Sequence, residues 1–149
     1  MTASRTTFAI TWDYRCPYAR NANEHVVAGL LGGAPWDVTF VPFNLDQTHI
    51  EHGEAPVWDE PQRYPGLLAT AAGIVVRDQY PDRFLTTHQA LFAARHDHSL
   101  DLRKLDVLAQ VLASAGVDAE AVLAALEDGW PLQTFRKEHE AAVSEYDVF

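Results

Sequence analysis

Two periodicities divide the chain. From Thr7 to Tyr14 the side chains alternate, with Phe8, Ile10, Trp12 and Tyr14 on one side and Ala9, Thr11 and Asp13 on the other. A period of two in aromatic and β-branched residues predicts a strand. After Arg15-Cys16-Pro17 the pattern lengthens: Ala19, Ala22, Val26 and Leu30 share one helical face, and Gly32-Gly33 marks the stop after Leu31. A second run, Trp36 to Phe43, predicts another strand with Pro42 near its end. Strand, helix, strand in this order predicts a parallel pair joined by a right-handed crossover.

Beyond Phe43 the periodicity changes character. Asn44 to Tyr64 carries Pro56, Pro61 and many charges with little regularity, and reads as a long loop of the kind that often carries function. From Pro65 to Tyr146 the helical period dominates. Helices are expected over Leu67–Tyr80, over Pro81–Arg95 with Phe84, His88, Leu91 and Phe92 inward, and over Asp101–Ala115 with a Leu105, Leu108, Leu112 stripe, the last ended by Gly116 as a left-handed cap. A fourth starts at the cap residue Asp118, buries Val122, Leu123 and Leu126, and stops at Gly129; a fifth runs from Pro131 to Tyr146 with Leu132, Phe135, Ala142 and Tyr146 aligned. No internal repeat appears, so the pattern predicts one domain over residues 1–149. Two strands alone are seldom stable, and the final Val148-Phe149 is apolar and uncapped. Both features lead us to expect a domain incomplete at its C-terminal side.

Composition narrows the function. Of 149 residues, 48% are hydrophobic and 21% charged, enough for a packed core. Eleven basic against twenty-one acidic residues give a net charge of −10, which opposes both nucleic acid and anionic membrane surfaces as partners. No apolar run approaches the roughly 20 residues of a membrane span, and no signal peptide is recognisable, so a cytoplasmic location is expected. A single cysteine, Cys16, leaves no internal disulfide and no four-cysteine metal site.

Candidate chemistry concentrates at that cysteine. Cys16 stands where a strand hands over to a helix, with Pro17 as the first helical residue. Unpaired backbone N–H groups at such an end carry partial positive charge. A thiolate is stabilised there, Arg15 adds a fixed positive charge, and Asp13 opposes it, so on balance the sulfur is expected to ionise more readily than a free cysteine. The plain alternative is a small buried thiol used for packing.

Other clusters carry less. His96-Asp97-His98, with His49 and His52, has no metal-ligand spacing, and a solvated turn explains it; no metal is expected. His25 reads as exposed and His88 as a core histidine with a satisfied ring nitrogen. Asn44 follows the second strand, at the carboxyl edge where open α/β sheets bind ligands; it either helps to hold a thiol cofactor or merely shapes a turn. Trp36, Trp58 and Trp130 are expected in the core.

The stretch Trp12-Asp13-Tyr14-Arg15-Cys16-Pro17-Tyr18-Ala19 resembles the active-site segment of DsbA-like thioredoxin-fold proteins, a superfamily that includes kappa-class glutathione transferases and 2-hydroxychromene-2-carboxylate isomerases. Gln89–Ala94, Asp101–Val107 and Ala115–Glu120 resemble its helical insertion. The resemblance implies an α/β thioredoxin-like fold: an N-terminal βαβ unit, a helical insertion over about residues 62–130 within about five helices, and C-terminal strands, with their cis-proline, that this chain lacks. It implies a thiol-disulfide oxidoreductase in which Cys16 is the nucleophile, Arg15 and Pro17 support it, and Asn44 and Tyr18 hold a small thiol. That thiol, glutathione or mycothiol, is a co-substrate and not a tightly bound cofactor; a homodimer is an open arrangement. Where family oxidoreductases place a second cysteine, this chain has Ala19, so an outside thiol must resolve any mixed disulfide. The alternatives are a transferase-like or isomerase-like thiol-dependent enzyme, and a non-catalytic interaction module.

Overall fold

The computed structural model describes residues 4–146, in which Thr6–Trp12 forms strand β1 and Trp36–Pro42 forms β2. They pair in parallel, Phe8 opposite Val38, Ile10 opposite Phe40 and Trp12 opposite Pro42. Helix α1, Pro17–Leu31, connects them. The expected βαβ unit is therefore present, with both strands ending earlier than expected, β1 by two residues and β2 by one. Asp13 and Tyr14 lie beyond the strand, because the Asp13 carboxylate accepts the Arg15 N–H at 2.9 Å and its carbonyl accepts the Cys16 N–H at 3.0 Å. These bonds close a turn and end the ladder.

The segment expected as an unstructured loop is partly folded. Asn44 caps a single turn, α2, at Leu45–Thr48, and two 3₁₀ turns follow at Val57–Asp59 and Pro61–Arg63. Five longer helices complete the described residues: α3 Leu67–Gln79, α4 Phe84–His96, α5 Leu105–Ser114, α6 Ala119–Asp128 and α7 Trp130–Tyr146. The architecture is α/β, with two parallel strands and seven α-helices among the described residues. No helix among them is long and apolar enough to cross a membrane. The expectation about Val148-Phe149 falls outside the described residues.

Helix α3 is the centre of the core. Leu67 and every residue from Ala69 to Val76 are buried, as a helix apolar all round requires. Its small residues admit neighbours closely: a Cβ on Gly73 would lie 2.8 Å from the Tyr14 hydroxyl. At its far end Arg77 donates to the Phe40 carbonyl at 2.8 Å and to both Glu138 oxygens at 2.9 and 2.7 Å, tying β2 to α7.

The sheet has two unlike faces. Trp12 and Phe40 point into an aromatic cluster with Phe84, His88 and, through Tyr14, Phe92. Thr7, Ala9, Asp37 and Thr39, on the opposite face, are exposed. Three stripe residues depart from expectation. Ala22 is exposed while Asn23 and Val27 form the buried face of α1. Leu105 is 44% exposed and lines a groove with Leu68, Leu123 and Leu126. Tyr146, on the last turn of α7, is 73% exposed. The caps are as expected: Asp118 accepts the Ala121 N–H at 3.2 Å, and Gly116 and Gly129 take φ of 83° and 89°.

Candidate functional site

The end of β1 delivers the chain into a turn, and the turn delivers it into α1. Cys16 is the residue between. Its backbone is extended (φ −88°, ψ 119°) while its carbonyl accepts the Arg20 N–H, so it is the N-cap of α1. Pro17 occupies the first helical position, where a missing N–H costs nothing. The Cys16 Sγ accepts the Ala19 N–H at 3.4 Å. A cysteine is thus used where serine or aspartate is usual, with its sulfur over the positive end of a helix of 15 residues. Cys16 is half-buried, and Tyr18 beside it is 83% exposed.

The loop after β2 lies against this turn. The Trp12 carbonyl accepts the Phe43 N–H at 2.9 Å, and the second Asp13 oxygen accepts the Leu45 N–H at 3.0 Å. Arg15 reaches across to Asp46 at 3.0 Å. The fixed charge expected beside Cys16 is therefore shared with an acid of α2. Burial raises the Asp13 carboxyl above the ordinary carboxylate value, and the Leu45 and Arg15 N–H groups pull it down. Both strand ends are thereby held at one edge of the sheet, as open α/β architecture requires of a ligand site.

Asn44 belongs to this edge by position and to the interior by environment. It is buried; its Oδ1 accepts the Gln47 N–H at 2.8 Å, and its own N–H donates to His139 Nδ1 at 3.0 Å. Its Nδ2 is shut from solvent without a partner. Of the two roles open to Asn44 from sequence, turn shaping is the one its contacts perform. Two of the three tryptophans join the core, Trp58 on Phe135 and Trp130 against the cluster, whereas Trp36 is half-buried at the start of β2 against Gly29 and Phe8.

Histidines divide three ways. His25 and His98 are exposed. His88 is wholly buried, with Nδ1 2.7 Å from the Tyr14 hydroxyl and Nε2 2.9 Å from Asn23 Oδ1; burial pushes it down to about 3, so it is neutral. His96 is not part of a merely solvated turn. Its Nε2 donates to the Tyr14 carbonyl at 2.9 Å, and neighbouring Asp97 pairs with Arg20 of α1. The end of α4 thus grips the chain on both sides of Cys16. No group of three or more potential metal ligands occurs among the described residues.

Sequence reasoning missed Asn23 and His139. Both are polar residues made buriable by partners far along the chain, Asn23 by His88 and His139 by Asn44, and neither breaks the local pattern. The fold and site together define an α/β protein with one thiol at a helix N-terminus. No family model and no curated protein matches the chain.

Proposed function

We propose that this chain is a DsbA-like, thioredoxin-fold thiol-disulfide exchange protein that acts through Cys16 as its one nucleophile. The single observation that supports the reading is the Cys16 Sγ capping α1 at the carboxyl edge of a parallel strand pair, with an amide donor on the sulfur. Such a donor faces the sulfur at the place where negative charge gathers during exchange, and a hydrogen bond to a charged acceptor is stronger than one to a neutral acceptor.

The chemistry is an exchange in two displacements. The Cys16 thiolate attacks one sulfur of an outside disulfide; the new S–S bond forms as the old one breaks, and the other sulfur leaves as a thiolate that takes its proton from water. A small outside thiolate then attacks the outer sulfur of the mixed disulfide and releases Cys16 as it began. Electrons pass between the outside partners, and the protein is unchanged. With Ala19 at the place of a resolving sulfur, nothing in the chain competes with that outside thiol. Pro17 starts the helix without adding a donor of its own, Arg15 steadies the turn through Asp46, and the open ring of Tyr18 offers a surface to the small thiol. The proposal places the protein in the cytoplasm, where glutathione or mycothiol is abundant.

Alkylation of Cys16 across pH, followed by intact-mass analysis after incubation with glutathione disulfide, tests it. The expected result is faster alkylation at neutral pH than a free cysteine shows, and one glutathione adduct that Cys16→Ser abolishes. Insulin reduction, with excess glutathione present, reports turnover of protein disulfides. A thiol that reacts like free cysteine and takes no adduct overturns the reading; adduct formation without any disulfide turnover moves it to transferase-type chemistry.

A further inference from the structure

Asn23 is buried on a helix whose outer face is solvated, and its hydrogen bonds can be oriented without ambiguity. Its Nδ2 lies 2.8 Å from the Ala19 carbonyl and 3.1 Å from the Thr11 carbonyl. Carbonyls only accept, so this atom is the amide nitrogen and Oδ1 is the atom facing His88 Nε2 at 2.9 Å. His88 must then carry its proton on Nε2, which leaves Nδ1 as the acceptor of the Tyr14 O–H at 2.7 Å. Burial holds that phenol well above its ordinary value, so it keeps the proton it donates. The chain therefore runs one way: Tyr14 to His88, His88 to Asn23, Asn23 to Ala19 and Thr11.

Ala19 is the residue whose N–H touches the Cys16 sulfur, and its carbonyl is the one Asn23 holds. The second Asn23 proton anchors the same turn to β1 through Thr11. We infer that Asn23 is a positioning residue for the Cys16 thiolate, and that His88 of α4 sets its orientation, so that the helical layer fixes the geometry of the sulfur's amide donor. The inference rests on the proposed role of Cys16. It makes no use of proton transfer along the chain.

Two variants at opposite ends of the hydrogen-bond chain separate positioning from packing. Asn23→Leu keeps the branched outline of the side chain and removes its bonds to Ala19, Thr11 and His88; Tyr14→Phe removes only the bond at the far end. Hydrogen exchange at the Ala19 amide and the alkylation rate of Cys16 at pH 7 are measured in both, with folding confirmed by circular dichroism. Asn23→Leu is expected to speed Ala19 exchange and slow Cys16 alkylation, each by about tenfold, less than the hundredfold or more that loss of a donor to a full oxyanion causes. Tyr14→Phe is expected to leave both within about twofold, since His88 still donates to Asn23. Equal effects in the two variants, or unchanged Ala19 exchange in folded Asn23→Leu, overturn the inference. If Asn23→Leu does not fold, His88→Asn and His88→Gln replace it: asparagine keeps the Tyr14 partner and loses Asn23, glutamine does the reverse, and only the first is expected to disturb Ala19. Slow alkylation in the wild-type protein would overturn the proposed function, while Ala19 exchange would still decide the positioning claim.

Discussion

The strand layer and the helical layer solve burial in opposite ways. The helical layer is built around α3, which is apolar or small on every side and buried from Ala69 to Val76. The strand layer has one buried face and one exposed face, and its thiol-bearing helix buries little beyond Asn23 and Val27. What α1 and the turn before it lack in apolar area they replace with directed polar contacts to α4 and the residue that ends it: Asn23 to His88, Arg20 to Asp97, and the Tyr14 carbonyl to His96. Hydrophobic burial is non-directional, whereas buried hydrogen bonds fix orientation. A helix that must present an amide to a sulfur at a set distance gains more from the second. The lesson is that the helical layer supplies the geometry of the site as well as its stability.

The largest effect should come from cutting the aromatic contact between the layers. Phe84 on α4 packs against Trp12 of β1 and Phe40 of β2, with ring centroids 5.8 and 5.0 Å away. Phe84→Ala is expected to cost about 3–5 kcal/mol, the range for truncating a buried phenylalanine. Urea unfolding followed by Trp fluorescence and by far-ultraviolet circular dichroism would show one coincident transition moved to lower urea. Two separated transitions would break the comparison, since the layers would then be independent.

A smaller effect is expected at the close approach of α3 to the turn before Cys16. An added Cβ on Gly73 meets the Tyr14 hydroxyl at 2.8 Å and its ring at 3.1 Å. Tyr14 is wholly buried, with Phe92 at 4.8 Å on its ring and His88 on its hydroxyl, so it cannot withdraw. Gly73→Ala gains about 1 kcal/mol of helix propensity and, with Tyr14 pinned, loses about 2–3 to overpacking, the upper part of the usual range, for a net cost of about 1–2 kcal/mol. A stability equal to or above wild type in urea unfolding would show that the two layers are not in contact there.

The buried titratable groups of the two layers run in opposite directions with pH. His88 is neutral when folded, with its value lowered to about 3 from 6.5 by burial. The unfolded chain takes up that proton below about pH 6.5, so stability falls as pH drops from there toward 3, by at most about 1.4 kcal/mol per pH unit. His139, also lowered by burial, acts in the same sense. Asp13 is raised by burial, so its contribution is present at low pH and lost as pH rises through its folded value. Urea midpoints from pH 7 to pH 4 should decline, and His88→Gln should flatten that decline while lowering the pH 7 midpoint. An unchanged slope in His88→Gln would mean that His88 is protonated in the fold.

The sequence was legible wherever one segment carries its own signal. Alternation marked β1, a run of β-branched and aromatic residues marked β2, the Phe84, His88, Leu91, Phe92 stripe marked the inner face of α4, and Asp118, Gly116 and Gly129 marked their caps. Cys16 and Pro17 placed the thiol at the start of α1 for the same reason, because capping is a property of neighbouring residues. What was illegible depends on partners far along the chain. Asn23 lies 65 positions from His88, and His139 lies 95 from Asn44; on a helical wheel each is only a polar residue that belongs in water. Leu105 failed in the other direction, because a stripe shows which face is apolar but not whether a neighbour covers its end. Arg15 was read by its charge alone, and its pairing with Asp46 required knowing that α2 exists.

The smallest expected effect tests whether strain in the helical layer reaches the thiol when no connecting residue is touched. Asp118 caps α6 by accepting the Ala121 N–H at 3.2 Å, and no hydrogen bond links α6 to the chain of contacts around Cys16 among the described residues. Asp118→Ala leaves that N–H unpaired at the positive end of the helix and should cost about 1 kcal/mol, or about 2–4 °C in Tm for a domain of this size. Asp118→Asn, which keeps an oxygen in place, should recover most of it. Because the loss is one of local capping, Cys16 alkylation at pH 7 should remain at the wild-type rate in both variants. A thiol that slows in step with the drop in Tm would mean that any loosening of the helical layer reaches the sulfur. The polar contacts from α4 would then be incidental to its geometry.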